Sequence, residues 1–108
     1  MMFDLDHFKR INDTYGHHIG DSVPATTAKV VVRSLRETDI PGRYSGEEFC
    51  VLLTNTVLKG AECVAQKLLS NIAAQKHRVR ESQLISVSCS IGVAEFREKD
   101  GTRDSKGI

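Results

Sequence analysis

The chain has 108 residues, 40% of them hydrophobic and 27% charged, with a formal net charge of +1. That is the make-up of one globular domain with a single core, and it excludes both the strongly basic surface of a nucleic-acid binder and a solvating acidic tail. No apolar run approaches the roughly 18 residues of a membrane span, and Met1-Met2-Phe3-Asp4 has neither the basic nor the apolar region of a signal peptide.

Met1 to Asp6 reads as the end of a buried strand. Asp6 then serves as N-cap for a short helix from His7 to about Asp13, with Phe8 and Ile11 on one face. Gly16 supplies the stop. A second helix is expected to start at Gly20-Asp21-Ser22, with Pro24 in its first turn where no backbone donor is needed, and to run to about Arg36. It would bury Val23, Thr27, Val30, Val31 and Leu35.

Asp39 to Tyr44 and Glu48 to Leu53 form a predicted hairpin, with Pro41 requiring an edge position or a bulge. The Ser45-Gly46 turn between them is expected to use glycine's positive φ. Leu58 to about Lys76 is the clearest helix, with Ala61, Val64, Ala65, Leu68, Leu69, Ile72 and Ala73 recurring at three- and four-residue steps. His77 to Glu81 reads as a charged, solvated connector. From Leu84 to Ala94, Ile85, Val87, Cys89 and Ile91 alternate with serines, which predicts one half-buried strand. The last dozen residues carry no periodicity and read as a frayed end. Cys50, Cys63 and Cys89 are odd in number and set among apolar neighbours. They read as buried free thiols rather than a disulfide framework or a zinc site, which points to a reducing, cytoplasmic compartment.

The order strand, helix, helix, hairpin, helix, strand predicts an α+β fold, a mainly antiparallel sheet with helices on one face, close to ferredoxin-like topology. That topology brings the end of the first strand beside the hairpin tip, so Asp4 and Glu47 fall together, with Asp6 and Glu48 on the opposite side of each pleat. Two adjacent carboxylates at a hairpin tip are either a solvated polar turn or half of a cation site, and oxygen ligands suit Mg²⁺ or Mn²⁺. The start of the first helix, with Lys9, adds donors for phosphate oxygens.

The segments Asp4-Leu5-Asp6-His7-Phe8-Lys9-Arg10-Ile11-Asn12-Asp13-Thr14-Tyr15-Gly16 to Asp21, Arg36-Glu37-Thr38-Asp39, Arg43-Tyr44-Ser45-Gly46-Glu47-Glu48-Phe49 and Ser88 to Val93 together resemble the diguanylate cyclase (GGDEF) domain family across nearly the whole chain. The resemblance implies a nucleotidyl-cyclase-type fold that condenses two GTP molecules into cyclic di-GMP, a second messenger in bacterial signalling, and releases pyrophosphate. Residues 1–108 would form one GGDEF-type domain, apparently truncated at both ends because the family's N-terminal and C-terminal helices have no counterpart. By that resemblance Asp4, the Leu5 carbonyl and Glu47 bind the metal, Glu48 is a second charge partner, and Phe8 and Lys9 lie by the triphosphate. Glu47, Glu48 and Lys9 carry the catalytic roles. Asn12 and Asp21 read the guanine, and Gly46 lies beside the nucleotide.

Arg36 and Asp39 match the family's product-inhibition site. Read alone, they are equally well a helix C-terminal arginine and a turn aspartate. The implied partners are GTP, cyclic di-GMP, a second copy of the chain and an attached sensor or regulatory domain, with no nucleic acid and no membrane contact by this segment. Ser45 stands where the family signature begins with glycine. An alternative is therefore a weak or inactive module that binds GTP or cyclic di-GMP as a receptor, and the isolated piece is expected to turn over GTP weakly or not at all.

Overall fold

The computed structural model describes residues 1–96 and 103–107. Its elements in chain order are β1 (Met2–Leu5), α1 (Phe8–Tyr15), α2 (His17–Ser34), β2 (Ile40–Arg43), β3 (Glu48–Leu52), α3 (Leu58–Ala74), β4 (Lys76–Arg80), β5 (Gln83–Ser86), β6 (Cys89–Phe96) and β7 (Arg103–Gly107). Among the described residues, five strands form one sheet in the order β2-β3-β1-β6-β7, while β4 and β5 form a separate hairpin. Every pairing in both sheets is antiparallel. The four strands β2-β3-β1-β6 reproduce the ferredoxin-like order expected from the sequence.

Strand alternation builds the core. Phe3 and Leu5 of β1, Phe49 and Val51 of β3, and Cys89, Ile91 and Val93 of β6 are buried with Val23, Val30 and Val31 of α2 and Ala61, Ala65, Leu68 and Ile72 of α3. The rings of Phe3 and Phe49, opposite each other in the register, stack with centroids 5.2 Å apart. Thr27 and Ser34 are buried without penalty because each hydroxyl donates to a carbonyl one turn back, Val23 and Val30 respectively. Leu35 is only partly buried, and Ala73, expected on the core side of α3, is exposed.

Several expectations need correction. Asp6 does not cap α1; the capping position is His7, in the left-handed region at φ 57°. The second helix begins at His17, because Gly16 (φ 88°) turns the corner directly from α1 into α2. Pro24 therefore sits inside the helix, where its ring nitrogen offers no hydrogen to the Gly20 carbonyl. The supposed connector after α3 is strand β4: its charged Lys76, Arg78 and Arg80 point outward and His77 is buried.

The single strand predicted from Leu84 to Ala94 is two. After β5 the chain leaves β4, and the Ser88 carbonyl accepts from the Asp6 N–H at the end of β1, so β6 begins in the other sheet. Of the expected frayed end, Arg103–Gly107 pairs with β6 as β7, and residues 97–102 and 108 lie outside the described residues. All three cysteines are free, but Cys50 and Cys63 are exposed and only Cys89 is buried. Among the described residues no helix is long and apolar enough to cross a membrane.

Candidate functional site

The face of the sheet away from the helices carries the acidic residues. Register pairs Asp4 with Glu48 on one side and with Ser90 on the other. The Met1 N-terminus donates to the Val51 carbonyl and Val51 N–H returns the bond to Met1. Leu5 N–H likewise donates to the Glu47 carbonyl at 3.1 Å. Odd-numbered residues of β1 therefore occupy the hydrogen-bonded pairs, and Asp4–Glu48 is a non-hydrogen-bonded pair, where opposed side chains approach most closely. Asp4, Glu48, Met2, Ser90 and Gly92 line an open cleft of about 510 Å³.

This corrects the expected pleat. Glu48 shares Asp4's face, and it is Glu47 that pairs with Leu5. Tyr44 and Ser45 N–H both donate to the Glu48 carbonyl, so β3 begins at Glu48 and Glu47 is the last residue of the turn. Asp6 is a neighbour of Asp4 along the strand, and its carboxylate is already engaged. It accepts from the Ser88 hydroxyl at 2.8 Å and the Ser90 hydroxyl at 2.7 Å. Sequence reasoning placed these serines on the polar side of a strand but missed their task; the signal was their alternation opposite Asp4 and Asp6.

The hairpin tip is not built as the sequence suggested. Gly46 does not use positive φ, and a Cβ added there would meet nothing within 4 Å among the described residues. The fold alone thus does not require glycine at this position. The Arg43 guanidinium holds the tip by donating to the carbonyls of Ser45 (3.3 Å) and Gly46 (2.7 Å).

Beside this tip α1 begins with no side-chain cap on its N-terminal amides. Uncapped amides at a helix start favour anions. Phe8 is half-buried against the core and Lys9 is exposed. Asn12 and Asp21 lie on α1 and α2 on either side of the Gly16 corner. Asp21 is exposed, while Asn12 is half-buried with its Oδ1 lacking any donor among the described residues.

Arg36 and Asp39 are joined at 2.8 Å just after α2, with the Asp39 side chain buried and Arg36 partly exposed. The Arg36 guanidinium also donates to the Thr54 carbonyl and the Thr56 hydroxyl. The hydrogen bond from Arg36 holds the Asp39 carboxyl below its usual range, and the same bond raises Arg36. Behind the cleft, Cys89 is pushed up to about 12, first by burial and then by the carboxylates of Asp6 and Asp4. Burial also lowers His77.

A cation has a fitting set of donors here: carboxylates from two adjacent strands at closest cross-strand approach, and hard oxygen atoms only. Among the described residues, however, no three His, Cys, Asp or Glu side chains converge on one point. The backbone carbonyl and substrate oxygens common in magnesium sites would have to complete the shell.

The family model described as "Diguanylate cyclase, GGDEF domain" matches residues 1–106. The chain belongs to this family. The GGDEF domain is 41% identical over 96 residues to diguanylate cyclase A of Treponema denticola, covering 89% of this chain and 26% of that protein. It is 37% identical over 95 residues to the response regulator PleD of Caulobacter vibrioides, covering 87% of this chain and 21% of PleD. The domain thus spans about a quarter of those relatives' length.

Among solved structures it is similar to Pseudomonas aeruginosa diguanylate cyclase SiaD in complex with its activator SiaC, with TM-score 0.80 and 38% identity over 84% of this chain and 35% of that one. It is also similar to the GGDEF domain of DgcB from Caulobacter crescentus in complex with c-di-GMP, with TM-score 0.75 and 26% identity over 82% of this chain and 53% of that one.

Proposed function

We propose that this GGDEF domain contributes one half of a diguanylate cyclase site, in which two chains, each holding one GTP, form cyclic di-GMP and release pyrophosphate. The observation that carries the reading is the Asp4–Glu48 pair at closest cross-strand approach on an open sheet face, beside the uncapped start of α1. A bound Mg²⁺ or Mn²⁺ would neutralise charge on the phosphates. Asp4, the Leu5 carbonyl and Glu47 would hold it, with Glu48 as the added carboxylate that Asp4 faces. The α1 amides, through Phe8, and the Lys9 ammonium take phosphate oxygens.

Asn12 and Asp21 hydrogen-bond the guanine. Such pairing rejects adenine strongly, because the wrong base leaves polar groups unpaired. The empty space at Gly46 leaves the backbone free to approach the nucleotide. In the reaction the 3′-hydroxyl of one GTP attacks the α-phosphorus of the other. The new O–P bond forms as the bond to the β-phosphate oxygen breaks, and the hydroxyl proton passes to a carboxylate, a role that falls to Glu47 at the end of the turn. Catalysis is positioning plus charge stabilisation, and because each chain supplies half of the site, turnover needs a homodimer.

Incubation of the full-length protein with GTP and Mg²⁺, followed by chromatography for cyclic di-GMP, tests this reading. Product that disappears with Glu47→Ala supports it, and product formed equally by that variant contradicts it.

A second reading, a cyclic di-GMP receptor, is favoured by one observation: Arg36 is already ordered by Asp39 and Thr56 with more than half of its side chain exposed. An ordered, exposed guanidinium suits a phosphate or guanine edge. Cyclic di-GMP binding that needs Arg36, with no turnover by the full-length protein, selects the receptor reading.

A further inference from the structure

We infer that Gly20 is a positioning residue for Asn12: the absence of a side chain at Gly20 lets the Asn12 carboxamide lie in the corner between α1 and α2. The inference rests on the proposed role of Asn12 in holding the guanine and adds to it a determinant of base selectivity.

Glycine inside a helix is unfavourable relative to alanine, so its presence needs a reason. Conformation is not that reason, since φ at Gly20 lies outside the left-handed region occupied by Gly16. Local helix stability is not one either. Gly20 precedes Pro24 by four residues, so its carbonyl has already lost its helical donor.

Space is the reason. A Cβ built on Gly20 would stand 1.7 Å from Asn12 Oδ1, 2.7 Å from its Cγ and 3.3 Å from its Nδ2. All three nearest atoms belong to the Asn12 side chain, so a side chain at position 20 would meet the amide first.

Asn12 Oδ1 is buried with no donor among the described residues. The carboxamide oxygen therefore occupies the space that Gly20 leaves open with no hydrogen bond of its own among the described residues. Asp21 follows Gly20 directly, so the same turn of α2 seats one proposed base contact and carries the other. Displacing the amide changes the distance between them, which degrades selection for guanine more than general affinity for a nucleotide.

The test is a double-mutant cycle in the 108-residue chain with Gly20→Ala, Asn12→Ala and the double variant. GTP and ATP are titrated calorimetrically with Mg²⁺ present, and thermal midpoints are recorded. The expected result is that Gly20→Ala weakens GTP about tenfold and narrows the GTP-to-ATP ratio as Asn12→Ala does, while adding Gly20→Ala to Asn12→Ala weakens GTP no further. The midpoint of Gly20→Ala should change less favourably in the native background than in the Asn12→Ala background, where the helix gain of alanine is unopposed. If Gly20→Ala alone fails to fold, a folded double variant carries the same conclusion.

Wild-type GTP affinity and selectivity in Gly20→Ala overturns the inference. So does an equal change of midpoint in both backgrounds, or a double variant that does not fold. Failure of the underlying reading looks different: Asn12→Ala itself leaves the GTP-to-ATP ratio unchanged, and the inference falls with it.

Discussion

Replacing Glu48 with glutamine probes why two carboxylates face each other across β1 and β3. In a non-hydrogen-bonded antiparallel pair, opposed Cβ atoms lie about 5 Å apart, and like charges so placed destabilise the sheet. At about 5.5 Å and the dielectric of water, Coulomb's law gives a repulsion of about 0.7 kcal/mol. Glu48→Gln keeps the shape and removes the charge, so at low ionic strength and with divalent ions chelated it should stabilise the domain by about that amount. For a domain of this size that is a rise in thermal midpoint of about 3–5 °C.

Salt should shrink the gain, because exposed charges are screened within about 10 Å at 0.1 M. Saturating Mn²⁺ should abolish or reverse it, since the ion offsets the repulsion and, with Glu48 as an added carboxylate, binds folded wild type more tightly than the folded variant. Scanning calorimetry in chelator, in salt and in Mn²⁺ reads all three. A variant no more stable than wild type in chelator, or a wild-type midpoint indifferent to Mn²⁺, refutes the reasoning.

Gly46→Ala should leave the thermal midpoint nearly unchanged, within about 0.5 kcal/mol, because its Cβ meets nothing; GTP affinity should fall, as calorimetry will show. Asp39 has a depressed folded pKa, so its contribution is complete above the unfolded value of 3.8 and is lost as pH falls through the lower folded value. Arg36→Ala should therefore flatten the acid side of a stability-versus-pH curve measured by denaturant titration. Under native conditions an alkylating reagent should modify Cys50 and Cys63, and Cys89 should react only after denaturation, a difference that mass spectrometry counts directly. Phe49→Ala breaks the Phe3 stack and opens a core cavity, and should cost about 3–5 kcal/mol in a urea unfolding curve.

The sequence made the architecture legible wherever one periodicity ran uninterrupted. The apolar steps of α3 and the alternation of β1 and β3 placed a single core, and Pro41 correctly took the edge strand β2. It misled where two sheets share one alternation. Ile85, Val87 and Cys89 all turn inward, so nothing in their pattern marks the point after Ser86 at which the chain leaves β4 and Ser88 bonds to Asp6. The Lys76-His77-Arg78-Val79-Arg80 strand was hidden by its charge, although it alternates with period two.

At the site, residue types were readable and pleat parity was not. Whether Glu47 or Glu48 faces Asp4 depends on where the turn ends, and the hydrogen bonds of Tyr44 and Ser45 to the Glu48 carbonyl decide that. The serine partners of Asp6 and the seat that Gly20 gives Asn12 arise from contacts between separate elements, which local pattern does not encode.

The most direct test of the account is calorimetric titration of GTP into the wild-type chain and Asp4→Ala, each with Mg²⁺ and with chelator. A metal-dependent nucleotide site centred on Asp4 and the Glu47-Glu48 turn predicts binding by wild type in Mg²⁺ and its loss both in chelator and in Asp4→Ala. Equal binding under all four conditions, or none by a folded wild type in Mg²⁺, would contradict it.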